Sequence, residues 1–280
     1  MTGMRIGFVG AGRMGLPMVR RLAAAGHDVR VAVRRNEVRD AVTETGARAV
    51  ATAAEAAEGA YAVLVCLFSD DQVREVCLDG DLPAVMAPGS ILSLHTTGDP
   101  RTAQAVAAQA VPHAVRVADV PVSGGPHDIA AGALTVFVGA DDDTAADLRP
   151  VLSCYADPIL HVGPLGAGQR VKLVNNALFA AQAGLVAAAV RLAGQLGVTE
   201  AALLSALPHA SSSGRVVTSI AAKRSVAEFG DAVGEFLRKD VAVVRALTTE
   251  LGGTLGVLDA AISAAPFGRD DNAAPQVTTR

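Results

Sequence analysis

Residues 5–15 read Arg5-Ile6-Gly7-Phe8-Val9-Gly10-Ala11-Gly12-Arg13-Met14-Gly15. A short apolar run, Ile6–Val9, passes straight into three glycines spaced G-x-G-x-x-G, and a helix is predicted from about Met14 to Ala25, ended by Gly26. In that strand-to-helix setting each glycine has a task. The first permits the tight turn, the second lets a pyrophosphate approach the backbone, and the third lets the helix pack close to the strand. The helix start adds free N–H groups and the positive end of the helix dipole. Gly10, Ala11, Gly12, Arg13, Met14 and Gly15 are therefore expected to hold a dinucleotide.

Outward from this motif, the next predicted strand, Val29–Val33, ends at Arg34, Arg35 and Asn36. A carboxylate at this place would accept hydrogen bonds from the adenosine ribose hydroxyls. Two guanidinium groups instead attract a 2′-phosphate through charge-assisted hydrogen bonds, and no acidic residue stands between Val33 and Glu37. The expected cofactor is NADP(H).

The first half alternates β-branched runs with alanine-rich stretches of helical period, the pattern of a parallel sheet covered by helices. Further strands are predicted at Tyr61–Cys66, Ser90–Leu94, Arg116–Val120, Leu134–Val138 and Ile159–Val162. From Gly168 onward the sequence reads as successive helices, broken at Gly197, Pro208, Ser211–Gly214 and Gly252-Gly253. The fold class is α/β: a Rossmann domain over 1–162, then an all-helical domain over 163–280. The tail from Pro266 to Arg280 is polar and is expected to fray.

Hydrophobic residues make up 51% of the 280 residues, yet aromatics are only 3% and Trp is absent, so the core must be built from Ala, Val and Leu. A net charge of −4 without a basic run argues against nucleic acid or an anionic membrane as partner. The uncharged stretch Leu173–Val190 contains Asn175, Asn176 and Gln182 and reads as a buried helix rather than a membrane span. Cys66, Cys77 and Cys154 are scattered, with no metal-ligand spacing, and fit a reducing cytoplasm.

Gly163-Pro164-Leu165-Gly166-Ala167-Gly168 leads into a predicted helix carrying Lys172 and, one turn on, Asn176. At i and i+4 both side chains project from one face. An ammonium among Ala, Val and Leu must snorkel, pair or line a cleft. In order, the glycine motif at Gly10–Gly15, Asp119-Val120-Pro121-Val122-Ser123-Gly124-Gly125, the Gly163…Lys172…Asn176 segment and Lys239-Asp240 resemble the β-hydroxyacid dehydrogenase family. That family is typified by 3-hydroxyisobutyrate dehydrogenase, and the resemblance covers nearly the whole chain.

The resemblance implies that Lys172 acts as general acid and base on the substrate oxygen and that Asn176 holds the substrate. Ser123, Gly124 and Gly125 correspond to the loop receiving the substrate carboxylate, a task suited to bare N–H groups and a hydroxyl. Leu67, Phe68 and Gln72 correspond to positions lining the cofactor, Thr97 to one near the nicotinamide, and Lys239 to a second lysine reaching the cofactor. It also implies a homodimer or homotetramer built through the alanine-rich helices. His127, beside the substrate loop, is a further candidate for substrate contact. The competing readings are an imine reductase of the same fold, which generally lacks this lysine, and a non-catalytic dinucleotide-binding relative.

Overall fold

The computed structural model describes residues 3–267. Most of the polar tail, residues 268–280, lies outside the described residues. The chain packs as two compact units, one ending at Lys172 and the other beginning at Leu173.

The first unit holds nine strands: β1 (Arg5–Val9), β2 (Asp28–Ala32), β3 (Arg48–Val50), β4 (Ala62–Val65), β5 (Ile91–Leu94), β6 (Arg116–Asp119), β7 (Val122–Ser123), β8 (Leu134–Gly139) and β9 (Ala156–Gly163). They form one sheet in the order β3-β2-β1-β4-β5-β6-β8-β7, with β9 pairing to β8. β1 through β6 pair in parallel, with Phe8 level with Val31 on one side and Leu64 on the other. Alternation along the strands sends Ile6, Phe8 and Leu64 into a core shared with Met18 and Leu22 of the helix Gly15–Ala24. Val9, Val63, Val65 and Leu92 face the opposite core, which includes Ala103 and Val106 of the helix Pro100–Ala110. Both faces are covered, as a parallel sheet requires.

Three features depart from the sequence reading. β3 and β7 are strands of three and two residues, too short for periodicity to reveal. β8 runs antiparallel to β6 and β7, so the continuous parallel run ends at β6, although β9 pairs with β8 in parallel. β9 begins at Ala156, ahead of Pro158; having a partner on one side only, it tolerates a residue that cannot donate to a ladder.

The second unit is helical throughout the described residues. Ala180, Ala183, Val186 and Ala187 of the long helix Ala167–Gln195 pack with Leu204, Ile220, Phe229, Leu237, Val241 and Ile262 from the helices that follow. A Cβ at Gly184 would stand 1.8 Å from the carbonyl oxygen of Ala261. Backbones this close explain why the core uses Ala and Gly where a looser bundle would use aromatics. The long helix has the length and hydropathy of a membrane span, but half of its apolar window is buried within the protein. Ser211–Gly214 forms the exposed connection between the turn Leu207–His209 and the helix Arg215–Lys223.

Candidate active site

The glycine motif leaves the carboxyl end of β1, between β2 and β4, where the connections diverge to opposite sides of the sheet. Crevices at such switch points are the usual ligand sites of open α/β sheets. Gly10 has φ +103°, and a Cβ there would lie 2.2 Å from the Cys66 carbonyl oxygen. A Cβ at Gly15 would lie 2.1 Å from the Gly10 carbonyl oxygen, which is how closely the helix approaches the turn. At Gly12 a Cβ would meet nothing within 4 Å. Two glycines are thus demanded by the protein's own backbone, whereas Gly12 borders open space. That is the cradle a pyrophosphate needs, and the residues present fit a dinucleotide.

Other expected cofactor residues line the same edge. Arg34, Arg35 and Asn36 are exposed just past β2, Asn36 opening a helix. Past β4, Leu67 donates its N–H to Thr96 Oγ1 at 2.8 Å, tying this loop to the one after β5 that carries half-buried Thr97. Gln72 Oε1 accepts the N–H of Phe68 at 3.0 Å and that of Ser69 at 3.4 Å, closing a capping box with Ser69. The Gln72 carbonyl therefore shapes the Leu67–Ser69 loop. Phe68 is 46% exposed, apolar surface at the mouth of the crevice.

Lys172 is positioned by two residues to which the sequence reading gave no role. Asp119, wholly buried at the end of β6, accepts the N–H of Gly166 at 2.5 Å and that of Gln169 at 2.6 Å, capping the long helix from a distant strand. Burial pushes the Asp119 carboxyl up to about 6 in spite of these bonds. The buried Gln169 side chain donates to the Thr96 carbonyl at 2.7 Å and accepts the Gly98 N–H at 3.0 Å. The helix start is thereby fixed to the ends of β5 and β6, and Lys172, half-buried, follows Gln169 by almost one turn.

In the helical unit Asn176 is 7% exposed and Asp240 5%. Asn176 Nδ2 donates to Asp240 Oδ2, and Asn175 Nδ2 donates to Asn176 Oδ1 at 3.0 Å. Lys239 Nζ lies 3.0 Å from Asp240 Oδ1, an ionic contact rather than a well-aligned hydrogen bond. Two of the expected site residues, Asn176 and Lys239, thus meet at one buried carboxylate.

The substrate loop departs from expectation at one atom. Ser123 ends β7 half-buried and Gly124 is exposed with φ +135°, but the Gly125 N–H is given to Asp128 Oδ2 at 2.7 Å. It is not a bare donor, because Asp128 caps the helix Pro126–Ala131. His127 is largely exposed and lies 3.3 Å from the same carboxylate oxygen. Asp128, three residues past Gly125, was open to recognition as a capping-box partner.

Residues 5–163 match the family described as the NAD binding domain of 6-phosphogluconate dehydrogenase. A probable 3-hydroxyisobutyrate dehydrogenase of Mycobacterium tuberculosis is 34% identical over 205 residues, 73% of this chain and 69% of that protein. An NAD-dependent L-serine dehydrogenase of Pseudomonas aeruginosa is 37% identical over 177 residues, 63% of this chain and 59% of that protein. The solved structure of Mycobacterium tuberculosis 3-hydroxyisobutyrate dehydrogenase with L-serine superposes with a TM-score of 0.83 at 29% identity, covering 94% of this chain and 92% of that one. The fold and the glycine cradle define a dinucleotide-binding oxidoreductase. Within that class, the chain belongs to the β-hydroxyacid dehydrogenase family that includes the 3-hydroxyisobutyrate dehydrogenases.

Proposed function

We propose that this protein is an NADP(H)-dependent dehydrogenase that interconverts a small β-hydroxyacid and its semialdehyde or keto form, with Lys172 as general acid and base. The observation that carries the reading is the pinning of the Lys172 helix, through Asp119 and Gln169, to the strand ends that also bear the cofactor loops.

Bound nicotinamide supplies or accepts the hydride. Lys172 donates a proton to the developing alkoxide in reduction and withdraws it in oxidation. Asn176 holds the substrate, while Ser123 and the Gly124 N–H take its carboxylate, Gly125 being already engaged. Arg34 and Arg35 take the 2′-phosphate; both are exposed at the β2 end of the cradle. Lys239, paired with Asp240, acts as the second lysine that contacts the cofactor.

Val171, Val174, Leu178, Leu185 and Leu192 are exposed at near-heptad spacing along the long helix, Leu185 to 60%. Such a stripe supports a homodimer seam. Leu185→Glu should yield monomers in sedimentation velocity where the parent chain sediments as a dimer or tetramer. Burial pushes the Cys66 and Cys77 thiols up to about 12, so both stay protonated at neutral pH.

The direct test assays NADPH and NADH with small semialdehydes, glyoxylate and cyclic imines, for the parent chain and Lys172→Ala. Semialdehyde turnover that disappears in Lys172→Ala while NADPH still binds is the expected result. Turnover of imines alone, or a Lys172→Ala enzyme that keeps its kcat, overturns the reading.

A further inference from the structure

We propose that Asp240 is a positioning residue: its carboxylate sets the direction of the Asn176 amide, so that substrate affinity depends on a group that does not touch the substrate. This rests on the role proposed above for Asn176.

The argument begins with the sense of the amide. A carboxylate only accepts hydrogen bonds, so the face of Asn176 toward Asp240 Oδ2 must be its NH₂. Flipping the amide would set two oxygens against each other in a buried site. Asn175, donating to Asn176 Oδ1 at 3.0 Å, is compatible with the same sense. One N–H and one lone pair of Asn176 remain, in a fixed direction, for a substrate hydroxyl or carbonyl. Preorganised polar groups of this kind bind without reorientation when the reaction demands them.

The setting argues against a purely cohesive role. Leu173, Ala177 and Val244, neighbours on the same two helices, form an apolar cluster. Replacing buried ionic and amide groups by well-packed apolar ones is often neutral or stabilising, so packing does not call for a carboxylate here. Asp240 Oδ1 receives no well-aligned hydrogen bond among the described residues and lies 3.0 Å from the Lys239 ammonium.

The test is a double-mutant cycle on the full-length enzyme with Asp240→Asn, Asn176→Ala and the double variant. Two readings are taken: kcat/KM, and calorimetric affinity for the hydroxyacid in the unreactive complex with NADPH. Asp240→Asn should fold, keep NADPH affinity within about threefold, and lose about 30-fold in both readings, the loss expected for one orienting hydrogen bond to a charged group. In the Asn176→Ala background it should add less than about threefold, because the residue through which it acts is gone. Losses that multiply, or an Asp240→Asn enzyme within about twofold of the parent, overturn the proposal. If Asp240→Asn does not fold, Asp240→Glu, which keeps the charge but moves it, takes its place under the same requirement. Should the parent enzyme turn over imines instead of hydroxyacids, the proposed function falls, and the same cycle read with the imine still decides the role of Asp240.

Discussion

The carboxylate of Asp119 and the main-chain N–H of Gln169 lie 2.6 Å apart, although the two residues are 50 positions apart in the chain. The same carboxylate takes the Gly166 N–H, so a single side chain satisfies two donors at the start of the helix that carries Lys172. A Cβ at Gly139 would come within 2.2 Å of Asp119 Oδ1, so glycine there makes room for the latch. Asp119→Ala leaves both N–H groups buried and unpaired, at about 1–3 kcal/mol each. Urea unfolding should show a loss of about 2–5 kcal/mol. Steady-state kinetics at a permissive temperature should show a larger fall in kcat than in NADPH affinity. Unchanged stability and kcat would remove the latch from the account.

The three glycines of the cradle should separate into two behaviours. Gly15→Ala forces a Cβ to within 2.1 Å of the Gly10 carbonyl oxygen, a backbone atom that cannot yield cheaply. Its cost is expected in stability, about 2 kcal/mol or more. Gly12→Ala meets no protein atom within 4 Å, and its cost is expected in cofactor affinity, with the melting temperature of the unliganded protein almost unchanged. Thermal unfolding with and without dinucleotide distinguishes them. Equal destabilisation of the two unliganded variants would contradict this division.

The features legible in the sequence were those whose physics is local. The turn at Gly10, the helix after Gly15 and the alternating apolar positions of β1 and β4 each depend on neighbours within a few residues. The polar anchors were not legible, because their partners are distant: Gln169 reaches Gly98 across 71 positions and Asn176 reaches Asp240 across 64. A buried Gln or Asp in a single sequence looks like any surface one until its donors are seen. Strand direction was hidden for a related reason. Alternation marks the faces of β8 but not whether it runs with or against β6, which depends on the short β7 and on the helix Pro126–Ala131 that turns the chain back.

On the proposed NADP(H) reading, Arg34 and Arg35 set the cofactor preference. Each charge-assisted hydrogen bond to a 2′-phosphate is worth about 1.5–3 kcal/mol. Arg34→Glu should lower kcat/KM for NADPH by about 10–100-fold while that for NADH changes by less than about threefold. Arg35→Ala should act in the same direction and less strongly, since it removes a donor without adding repulsion. An Arg34→Glu enzyme that keeps its NADPH preference would assign the 2′-phosphate to other residues.

Two buried groups give opposite slopes to stability across mildly acidic pH. His95 is 2% exposed, with Nε2 2.7 Å from the Tyr155 hydroxyl, and burial pushes its imidazole from 6.5 down to about 4. Between those values the unfolded chain binds the extra proton, so this contribution is lost as pH falls from about 6.5 to about 4. Asp119 is raised from 3.8 to about 6, so between those values the folded chain binds the extra proton. Its contribution is therefore largest below about 4 and is lost as pH rises to about 6. Each amounts to roughly 3 kcal/mol, and over the shared window they oppose one another. Asp119→Asn should leave the His95 slope uncovered: relative to the parent chain, the variant loses about 3 kcal/mol more as pH falls from 6 to 4. His95→Gln should show the reverse, gaining on the parent over the same interval. Urea midpoints measured at half-unit steps give both difference curves, and parallel curves for parent and variants would mean that neither group titrates differently in the folded and unfolded chains.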